Sequence, residues 1–382
     1  MKAATTILCA CVLGLLALGM VMLFSVSTLK PEAKYVLMQP VWGGLGLVMC
    51  LLAAMVDYRR LKQHPVLIGM LFGLALVLLG LVWKIGITRN GATRWLGYAG
   101  YNMQPSEFAK IALIILLAWW GDRFQKRFAK PLPNLVWGLL LPALLIAPVL
   151  GLIFKEPDWG TTILLAAVCG ILLYLAGTRW YYLLLPAVAG AYAMFLMISN
   201  DPVRGHRWEA YRHPEKHRDG AGYQTYQAMI ALGSGGVAGL GLGNGRQKLG
   251  FVPEHHTDFI FSVIGEELGL IATTTVLAAY VAIVLGGIYI AWRASDLFGM
   301  LLSAGITCLI GVQAAINMGV VTGALPNKGL ALPFISYGGS NLVLMLACVG
   351  LLWSVARHAA DEPVFFPDNP FGAAEALARQ PI

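Results

Sequence analysis

The chain has 382 residues, of which 58% are hydrophobic and only 12% are charged. Soluble globular domains carry about 25% charged residues, and a chain of this length could not bury so much apolar surface inside a water-facing fold. The composition excludes a soluble enzyme, a disordered chain and a disulfide-framed secreted domain. It predicts an all-α, polytopic membrane protein. The net charge of +8 is less informative than the places where the charges fall.

About ten apolar segments follow one another along the chain, each near the roughly 20 residues that a helix needs to cross a bilayer. They cover residues 4–27, 36–56, 66–82, 105–120, 135–154, 161–177, 181–199, 259–292, 297–321 and 341–355. We predict a ten-span transmembrane domain over residues 1–357, with a large extracytoplasmic loop at 200–257 between spans seven and eight. Residues 358–382 are predicted to form a disordered cytoplasmic tail.

The Lys and Arg residues of the short loops give the predicted orientation, with both termini in the cytoplasm. The loop of residues 200–257 is an exception, since it carries seven basic residues, Arg207 and Lys248 among them, yet is placed outside. A long translocated loop can escape the rule. The loop is either a solvated surface with interfacial aromatic residues or a cationic surface for an anionic ligand. For such a ligand, a lipid phosphate or pyrophosphate fits a membrane protein better than nucleic acid does.

A glycine-rich run at residues 233–245 resembles a nucleotide-binding fingerprint only superficially. No strand precedes it and no Gly-Lys-Ser/Thr closes it, so both a dinucleotide site and a P-loop are rejected. The run is expected to pack its backbone closely against helices at the membrane surface.

Charged residues inside predicted spans need a reason, because each costs roughly 2.5–3.5 kcal/mol on insertion scales. Glu107 and Lys110 are three residues apart, so they can pair on one helix face. The pair is an internal ion pair or lines a cavity, and both can hold together because a bridge can shape a cavity wall. Asp158 is either a helix N-cap or a second carboxylate of an outer cavity. Glu266 and Glu267 are expected to point in different directions, with one of them bonding a neighbouring span.

Asp258 is the strongest candidate for catalysis. It lies where the basic loop re-enters span eight, beside His256. Either Asp258 or Thr257 is a helix N-cap here, or Asp258 is a general base at a membrane mouth. Adjacent histidines rarely bind one ion, so a His-ligated metal is disfavoured against a hard cation held by carboxylates and pyrophosphate. Lys328 begins the last outer loop, whose Pro and Gly residues break the helix as in a cavity wall.

Eight short motifs occur in order along nearly the whole chain. They are Gly91-Ala-Thr-Arg-Trp95, Gln104-Pro-Ser-Glu-Phe-Ala-Lys110, Pro157-Asp-Trp-Gly-Thr161, Gly222-Tyr-Gln224, Ala231-Leu-Gly-Ser-Gly-Gly236, Pro253-Glu-His-His-Thr-Asp-Phe-Ile-Phe261, Asn317-Met-Gly-Val-Val-Thr-Gly323 and Leu332-Pro-Phe-Ile-Ser-Tyr-Gly-Gly-Ser340. With these motifs the sequence resembles the SEDS family of bacterial cell-wall polymerases. Residues 327–333, followed by Ser340-Asn341, look more like the division type (FtsW) than the elongation type (RodA).

The resemblance implies a ten-span peptidoglycan glycosyltransferase of the bacterial inner membrane that uses lipid II. It implies that Asp258 matches the family's essential aspartate, that Glu107 and Lys110 match its paired charges, and that Asp158 matches its second cavity aspartate. The chain departs from the family pattern at His255 and Trp159, which leaves the acidic residues in place. A class B penicillin-binding transpeptidase and other divisome or elongasome proteins are the implied partners.

We hypothesise that Asp258 deprotonates the acceptor sugar hydroxyl, while basic groups and a divalent cation (Mg²⁺ or Mn²⁺) stabilise the departing pyrophosphate. No organic cofactor is expected. The residues expected to bind the substrate are Arg94, Glu107, Lys110, Asp158, Arg207, Lys248, His256, Lys328 and Ser336. A lipid II flippase without covalent chemistry is the alternative, because embedded charges and broken helices also suit a carrier. A purely structural divisome anchor is the third interpretation.

Overall fold

The computed structural model describes residues 1–26, 33–89, 92–98, 101–200, 202–213, 215–218, 220, 222–246 and 257–359. Within these residues the chain is a bundle of long helices with one small sheet. The predicted helical class is therefore confirmed. The predicted tail lies outside the described residues from residue 360 onward.

The helices are numbered in chain order. The first nine are α1 (Lys2–Val26), α2 (Ala33–Met55), α3 (Tyr58–Gln63), α4 (Pro65–Ile85), α5 (Pro105–Phe124), α6 (Pro131–Pro133), α7 (Leu141–Lys155), α8 (Trp159–Leu175) and α9 (Trp180–Asn200). They are followed by α10 (Pro202–Arg212), α11 (Tyr223–Ser234), α12 (Ile260–Trp292), α13 (Leu297–Val321) and α14 (Gly339–Arg357). The predicted loop of residues 200–257 thus contains two helices, α10 and α11, in its described part.

Eight helices of the described chain are long and apolar enough to cross a membrane. They are α1, α4, α9, α12, α13 and α14, together with Val36–Met55 in α2 and the stretch Pro131–Lys155, in which a π-helical segment joins α6 to α7. The two other predicted spans are also helical: α5, which carries charged residues, and α8, which has 17 residues. A helix therefore stands at every predicted span, and the count of ten crossings stays a prediction.

The helix α13 is the centre of the bundle. In its most apolar stretch, 78% of the residues are buried inside the protein, whereas in the most apolar stretch of α9 none are. It packs against α5, α8, α12 and α14. Small residues permit this approach: a Cβ on Gly305 would stand 2.7 Å from Ile114 of α5 and 3.1 Å from Leu172 of α8. Polar side chains of α13 therefore face protein instead of lipid.

The helix α12 is interrupted at Gly269, whose φ of 75° and ψ of −168° are not helical. A segment that we call the glycine clip, residues 235–246, lies across the interruption and satisfies the backbone groups that it leaves unpaired. Four hydrogen bonds do this: Leu240 N to Glu266 O at 3.0 Å, Gly241 N to Glu267 O at 2.9 Å, Leu270 N to Gly236 O at 2.9 Å, and Ile271 N to Val237 O at 3.3 Å. The expected close packing of the glycine-rich run is confirmed.

The glycine clip also binds the carboxylates of Glu266 and Glu267, which lie just before the interruption of α12. Ser25 of α1 donates to Glu267 Oε2 at 2.6 Å, so the expected bond to a neighbouring span is confirmed. The backbone N–H of Arg246 donates to Glu266 Oε1 at 2.8 Å. Oxygens of both carboxylates lie 2.9 Å from the position of a Cβ on Gly245. The prediction that the two side chains point apart is wrong, because the clip supplies N–H groups to both.

A three-stranded antiparallel sheet, in the order β1 (Ile87–Arg89), β2 (Ala92–Tyr98) and β3 (Tyr101–Met103), joins α4 to α5. It is absent from the sequence-based prediction. Thr, Trp, Tyr and Ile favour extended backbone, but the strands are too short to show a clear alternation of polar and apolar residues. The sheet matters to the site because β2 carries Arg94.

Ion pairs join the loops at the end of the bundle where α5 ends and α13 begins. Lys62 lies 2.9 Å from Asp122 and 3.1 Å from Asp296. Arg357 at the end of α14 donates to the carbonyl of Met55 at 3.1 Å. This end carries the loops predicted to be cytoplasmic, and the candidate site lies at the other end.

We expect Gly239→Ala to destabilise the protein strongly. Gly239 has a φ of +81°, and a Cβ there would overlap the carbonyl oxygen of Glu267. Gly243→Ala is the matched control, because Gly243 has a φ of +84° but open space around it, so both variants share a backbone cost of about 1–2 kcal/mol. Thermal unfolding in detergent should show a much larger fall in melting temperature for Gly239→Ala than for Gly243→Ala. Equal falls would contradict the close packing of the glycine clip on α12.

Candidate functional site

Asp258 lies in the turn that leads into α12. Phe259 occupies the N-cap position of that helix, so neither Thr257 nor Asp258 is the N-cap, and this interpretation is wrong. The backbone carbonyl of Asp258 accepts a hydrogen bond from Asn317 Nδ2 at 2.7 Å. The carboxylate lies against Gly329, with Oδ2 only 2.9 Å from the position of a Cβ at that residue. Glycine therefore leaves the room that the carboxylate occupies.

Arg94 brings a positive charge to the same place. Its guanidinium donates to the carbonyls of Glu156, at 3.3 Å, and of Pro157. Its Nη1 lies 3.8 Å from Asp158 Oδ1 and 4.0 Å from the Cβ position of Gly329. Arg94 and Asp258 thus share one side of Gly329. The turn before α8 fixes the guanidinium, so the strand β2 and this turn together determine where the charge stands.

Asp158 caps α8, which confirms the cap interpretation. Its carboxylate accepts from the Thr161 N–H at 3.1 Å and from the Thr161 hydroxyl at 3.0 Å. Gln104 Nε2 donates to Oδ2 at 3.3 Å. The residue is 2% exposed and also faces Arg94, so it balances part of that charge. A direct contact between Asp158 and substrate stays a prediction.

Lys328 adds a second cation beside Gly329. Its Nζ lies 5.3 Å from the centre of the Trp159 ring, a distance at which the ring face attracts an ammonium group. Trp159 is itself packed on Phe154, with ring centres 5.1 Å apart. The tryptophan that departs from the family pattern is therefore a contact surface for the lysine.

Glu107 and Lys110 form the predicted pair on α5, deep in the bundle. Lys110 Nζ lies 2.8 Å from Glu107 Oε2, and the lysine and the glutamate are 0% and 6% exposed. Asn341 of α14 donates to Glu107 Oε2 at 2.8 Å, and Lys110 donates to Gln313 Oε1 of α13 at 2.9 Å. The interpretation as an internal bridge is confirmed. The predicted contact of the pair with substrate stays a prediction.

The segment between α13 and α14, residues 322–338, carries Gly329 and is held by side chains of α13. Gln313 Nε2 donates to the carbonyl of Ala331 at 2.9 Å, and Asn317 Nδ2 donates to the carbonyl of Leu330 at 2.7 Å. Ser336 is buried; its hydroxyl accepts from Leu332 N–H at 2.8 Å and donates to the carbonyl just before Asp258 at 2.6 Å. Ser336 thus supports the Asp258 turn, and its contact with substrate stays a prediction.

Glu156 is a carboxyl group beside the site that the sequence pattern did not single out. It is 4% exposed, and both its carboxyl oxygens lack a hydrogen-bond partner within the described part of the chain. Burial, with a smaller contribution from the nearby Asp158, raises its pKa from the ordinary 4.5 to about 8, although Arg94 opposes the shift. The carboxyl is therefore mostly protonated at neutral pH.

Three predicted substrate contacts cannot be placed beside these residues. Lys248 and His256 lie outside the described residues. Arg207 lies within α10, but its side chain is not among those that the structure describes. Among the side chains that are described, no three His, Cys, Asp or Glu residues come together to hold a metal ion.

Comparison with known proteins places the chain in a family. Residues 5–361 match the family FTSW_RODA_SPOVE, described as cell cycle protein. The chain belongs to this family. The FTSW_RODA_SPOVE assignment confirms the resemblance found in the sequence motifs.

The family relatives are similar over nearly their whole length. The chain is 39% identical over 358 residues to the probable peptidoglycan glycosyltransferase FtsW of Geobacter metallireducens, covering 92% of this chain and 94% of the relative. It is 35% identical over 353 residues to the stage V sporulation protein E of Bacillus subtilis, covering 90% and 94%.

Two solved structures share the fold. One is a chain of a peptidoglycan synthase complex that coordinates polymerization and crosslinking, with 30% identity, a TM-score of 0.77 and coverage of 93% of this chain and 98% of that one. The other is the rod shape determining protein RodA of Thermus thermophilus, with 29% identity, a TM-score of 0.69 and coverage of 93% and 97%. The chain is thus an FtsW-like member of the FTSW_RODA_SPOVE family.

We expect the stability of this family member to fall with rising pH because of Glu156. Its pKa is raised on folding, so its contribution is fully present below 4.5 and is lost as the pH rises through about 8. Glu156→Gln, which does not titrate, should make the melting temperature less dependent on pH between about 4.5 and 8. Glu209→Gln, at an exposed glutamate of α10, is the control. If melting temperature changed with pH in the same way for Glu156→Gln and the wild type, the raised pKa of Glu156 would be contradicted.

We expect the charge swap Glu107→Lys with Lys110→Glu to restore the ion pair without restoring full stability. Lys110 donates to Gln313 Oε1, which leaves Gln313 Nε2 to donate to Ala331 O. A carboxylate at position 110 accepts instead, so the amide turns and the carbonyl of Ala331 loses its donor. Each single change should cost about 3–5 kcal/mol, and the swap should still cost about 1–3 kcal/mol. Wild-type thermal stability of the swap would show that charge alone matters.

Proposed function

We propose that the chain is a peptidoglycan glycosyltransferase that polymerises lipid II into glycan strands, with a role of the FtsW type in cell division. The observation that carries this proposal is the meeting of a carboxylate and a guanidinium on one side of Gly329. Asp258 Oδ2 and Arg94 Nη1 lie 2.9 and 4.0 Å from the Cβ position of that glycine. A base beside cations is the arrangement that glycosyl transfer from a pyrophosphate donor requires.

In the proposed reaction, Asp258 takes the proton of a sugar hydroxyl on the acceptor. The hydroxyl oxygen forms a bond to the anomeric carbon of the lipid-linked donor. The bond between that carbon and the pyrophosphate oxygen breaks, and its electron pair leaves with the lipid pyrophosphate. One proton thus moves to Asp258, and the negative charge of the transition state accumulates on the pyrophosphate.

The cations of the site would stabilise this charge. The guanidinium of Arg94 is held by two backbone carbonyls of the turn before α8, so it does not have to reorganise during the reaction. Lys328, whose ammonium group lies 5.3 Å from the centre of the Trp159 ring, is next to Gly329 in the chain and is proposed to add a second positive charge. Lys248, Arg207 and His256 are proposed to extend the cationic surface toward the rest of the substrate.

A divalent cation, Mg²⁺ or Mn²⁺, is part of the proposal only in combination with substrate. The described residues bring no three ligating side chains together, and Mg²⁺ is commonly bound by one or two carboxylates plus substrate phosphates. Asp258 is the residue that could hold it beside a pyrophosphate. Such a cation would add positive charge at the leaving group.

The proposed location is the bacterial inner membrane, with the site on the outer face and both termini in the cytoplasm. Basic loops such as residues 121–133 favour the cytoplasm, and the ion-paired end of the bundle carries them. A class B penicillin-binding transpeptidase and other divisome proteins are the proposed partners. Similarity to a chain of a peptidoglycan synthase complex supports a partner of this kind.

The flippase alternative depends on the charges embedded in the spans. Glu107 and Lys110 are buried and have protein partners on α13 and α14, so this pair does not line an open path. An enzyme makes glycan strands from lipid II in detergent, where no second leaflet exists, whereas a carrier makes none.

We expect Asp258→Asn to reduce lipid II polymerisation in detergent by at least about 100-fold, because the base contributes roughly 10²–10⁴-fold. The product is measured as glycan strands from purified lipid II. Asp57→Asn is the matched control: it makes the same change at the N-cap of α3, where asparagine caps as well as aspartate. Polymerisation by Asp258→Asn at the wild-type rate would refute the base role.

A further inference from the structure

One amide group joins two of the segments that form the site to the central helix. Asn317 lies on α13, is 1% exposed, and donates both hydrogens of Nδ2 to backbone carbonyls. The acceptors are Asp258 O at 2.7 Å and Leu330 O at 2.7 Å. The turn before α12 and the segment before α14 are thereby fastened to the same atom of α13.

A second amide on the same helix face fixes the next residue of the segment. Gln313 is four residues before Asn317, so the two side chains point to the same side of α13. Gln313 donates to Ala331 O at 2.9 Å. Its orientation is determined by charge, because Lys110 can only donate and therefore holds Gln313 Oε1. The buried ion pair of α5 thus acts on the site through α13.

These contacts set the distance between the base and the cations. The carbonyls of residues 330 and 331 are both fixed to α13, and Gly329 comes immediately before them. Gly329 is the residue against which Asp258 Oδ2 and Arg94 Nη1 lie. Because Asn317 holds both the Asp258 backbone and this segment, the loss of its donors lets the carboxylate move relative to Arg94.

The other polar atom of the amide indicates that the side chain is not arranged for stability alone. Asn317 Oδ1 is buried and has no hydrogen-bond partner in the part of the chain that the structure describes. A buried acceptor without a donor costs free energy. The side chain thus keeps an unsatisfied oxygen so that both of its hydrogens point at the two segments of the site.

We propose that Asn317 is the positioning residue of the site: it holds Asp258 in the geometry for proton transfer by fastening the Asp258 turn and the Gly329 segment to α13. This inference rests on the proposed role of Asp258 as the base. Asn317 does not touch the reacting atoms. It acts through the residue whose carbonyl it binds.

The test compares Asn317→Leu with Asn134→Leu in the full-length protein. Asn134 is a matched control, since it is also buried and its Nδ2 donates to two carbonyls of separate segments, Phe128 O at 2.8 Å and Gly177 O at 2.9 Å. It lies beyond the end of α5, away from Asp258. Both changes remove two donors to backbone carbonyls. Asn134→Leu also removes Oδ1, which accepts from the N–H of Arg179 at 3.2 Å, so its general cost to folding should be at least as large as that of Asn317→Leu.

Lipid II polymerisation is measured per folded protein, with kcat and KM determined separately. Asn317→Leu should lower kcat about 100-fold with KM within about threefold, since a misplacement of about 1 Å can cost this much. Asn134→Leu should keep both constants within about twofold of the wild type. An unchanged kcat for Asn317→Leu, or an equal loss in Asn134→Leu, overturns the proposal.

A double variant tests whether Asn317 acts through Asp258. If it does, Asp258→Asn with Asn317→Leu should be no more than about threefold slower than Asp258→Asn alone, because the two effects are not additive. If the rate loss of the double variant equals the product of the two single losses, the proposal is overturned. Full activity of Asp258→Asn would overturn the base role of Asp258. Full activity of Asn317→Leu, with Asp258→Asn inactive, would overturn only the positioning role of Asn317. If Asn317→Leu does not fold, Asn317→Ser, which keeps one donor, is measured against the same expectations.

Discussion

Backbone groups that leave a regular helix inside a membrane protein must still find hydrogen-bond partners, because lipid offers none. This constraint accounts for two irregular parts of the described fold. The interruption of α12 at Gly269 is satisfied by four bonds to the glycine clip. The segment before α14 is satisfied by the side chains of Gln313 and Asn317 on the central helix. These donors thus pair backbone groups that would otherwise be buried without a partner.

The candidate site is a consequence of the second break. A continuous helix could not place Gly329 where the carboxylate of Asp258 and the guanidinium of Arg94 both approach it. Three elements supply the groups: the turn before α12, the strand β2 and the segment between α13 and α14. Each is fixed by hydrogen bonds to a neighbour, so the charges stand close together before substrate binds. Such prior arrangement is the main source of electrostatic catalysis.

Part of this site was predictable from local sequence. Asp258, Arg94, Asp158 and Lys328 are charged residues in an apolar chain, and a charge inside or beside a span needs a functional or structural reason. Gln313 and Asn317 carry a weaker signal, as two uncharged polar residues four apart in a span. Glu156 was missed because its burial depends on the packing of α7 and α8. The sheet was missed although Asn90-Gly91, a strong hairpin signal, stands between β1 and β2.

The sequence by itself determined the helical membrane class, the positions of the long helices and the family, and it placed Glu107 and Lys110 on one helix face where they can pair. These follow from hydropathy, motif order and the fixed spacing of residues on one helix, which are local properties. Only the tertiary structure decided which groups meet. Asp258 is 59 residues from its amide partner along the chain and farther still from Arg94, and the convergence of Glu266 and Glu267 depends on a clip folded from another segment. Such contacts depend on how distant elements pack, which no local pattern specifies.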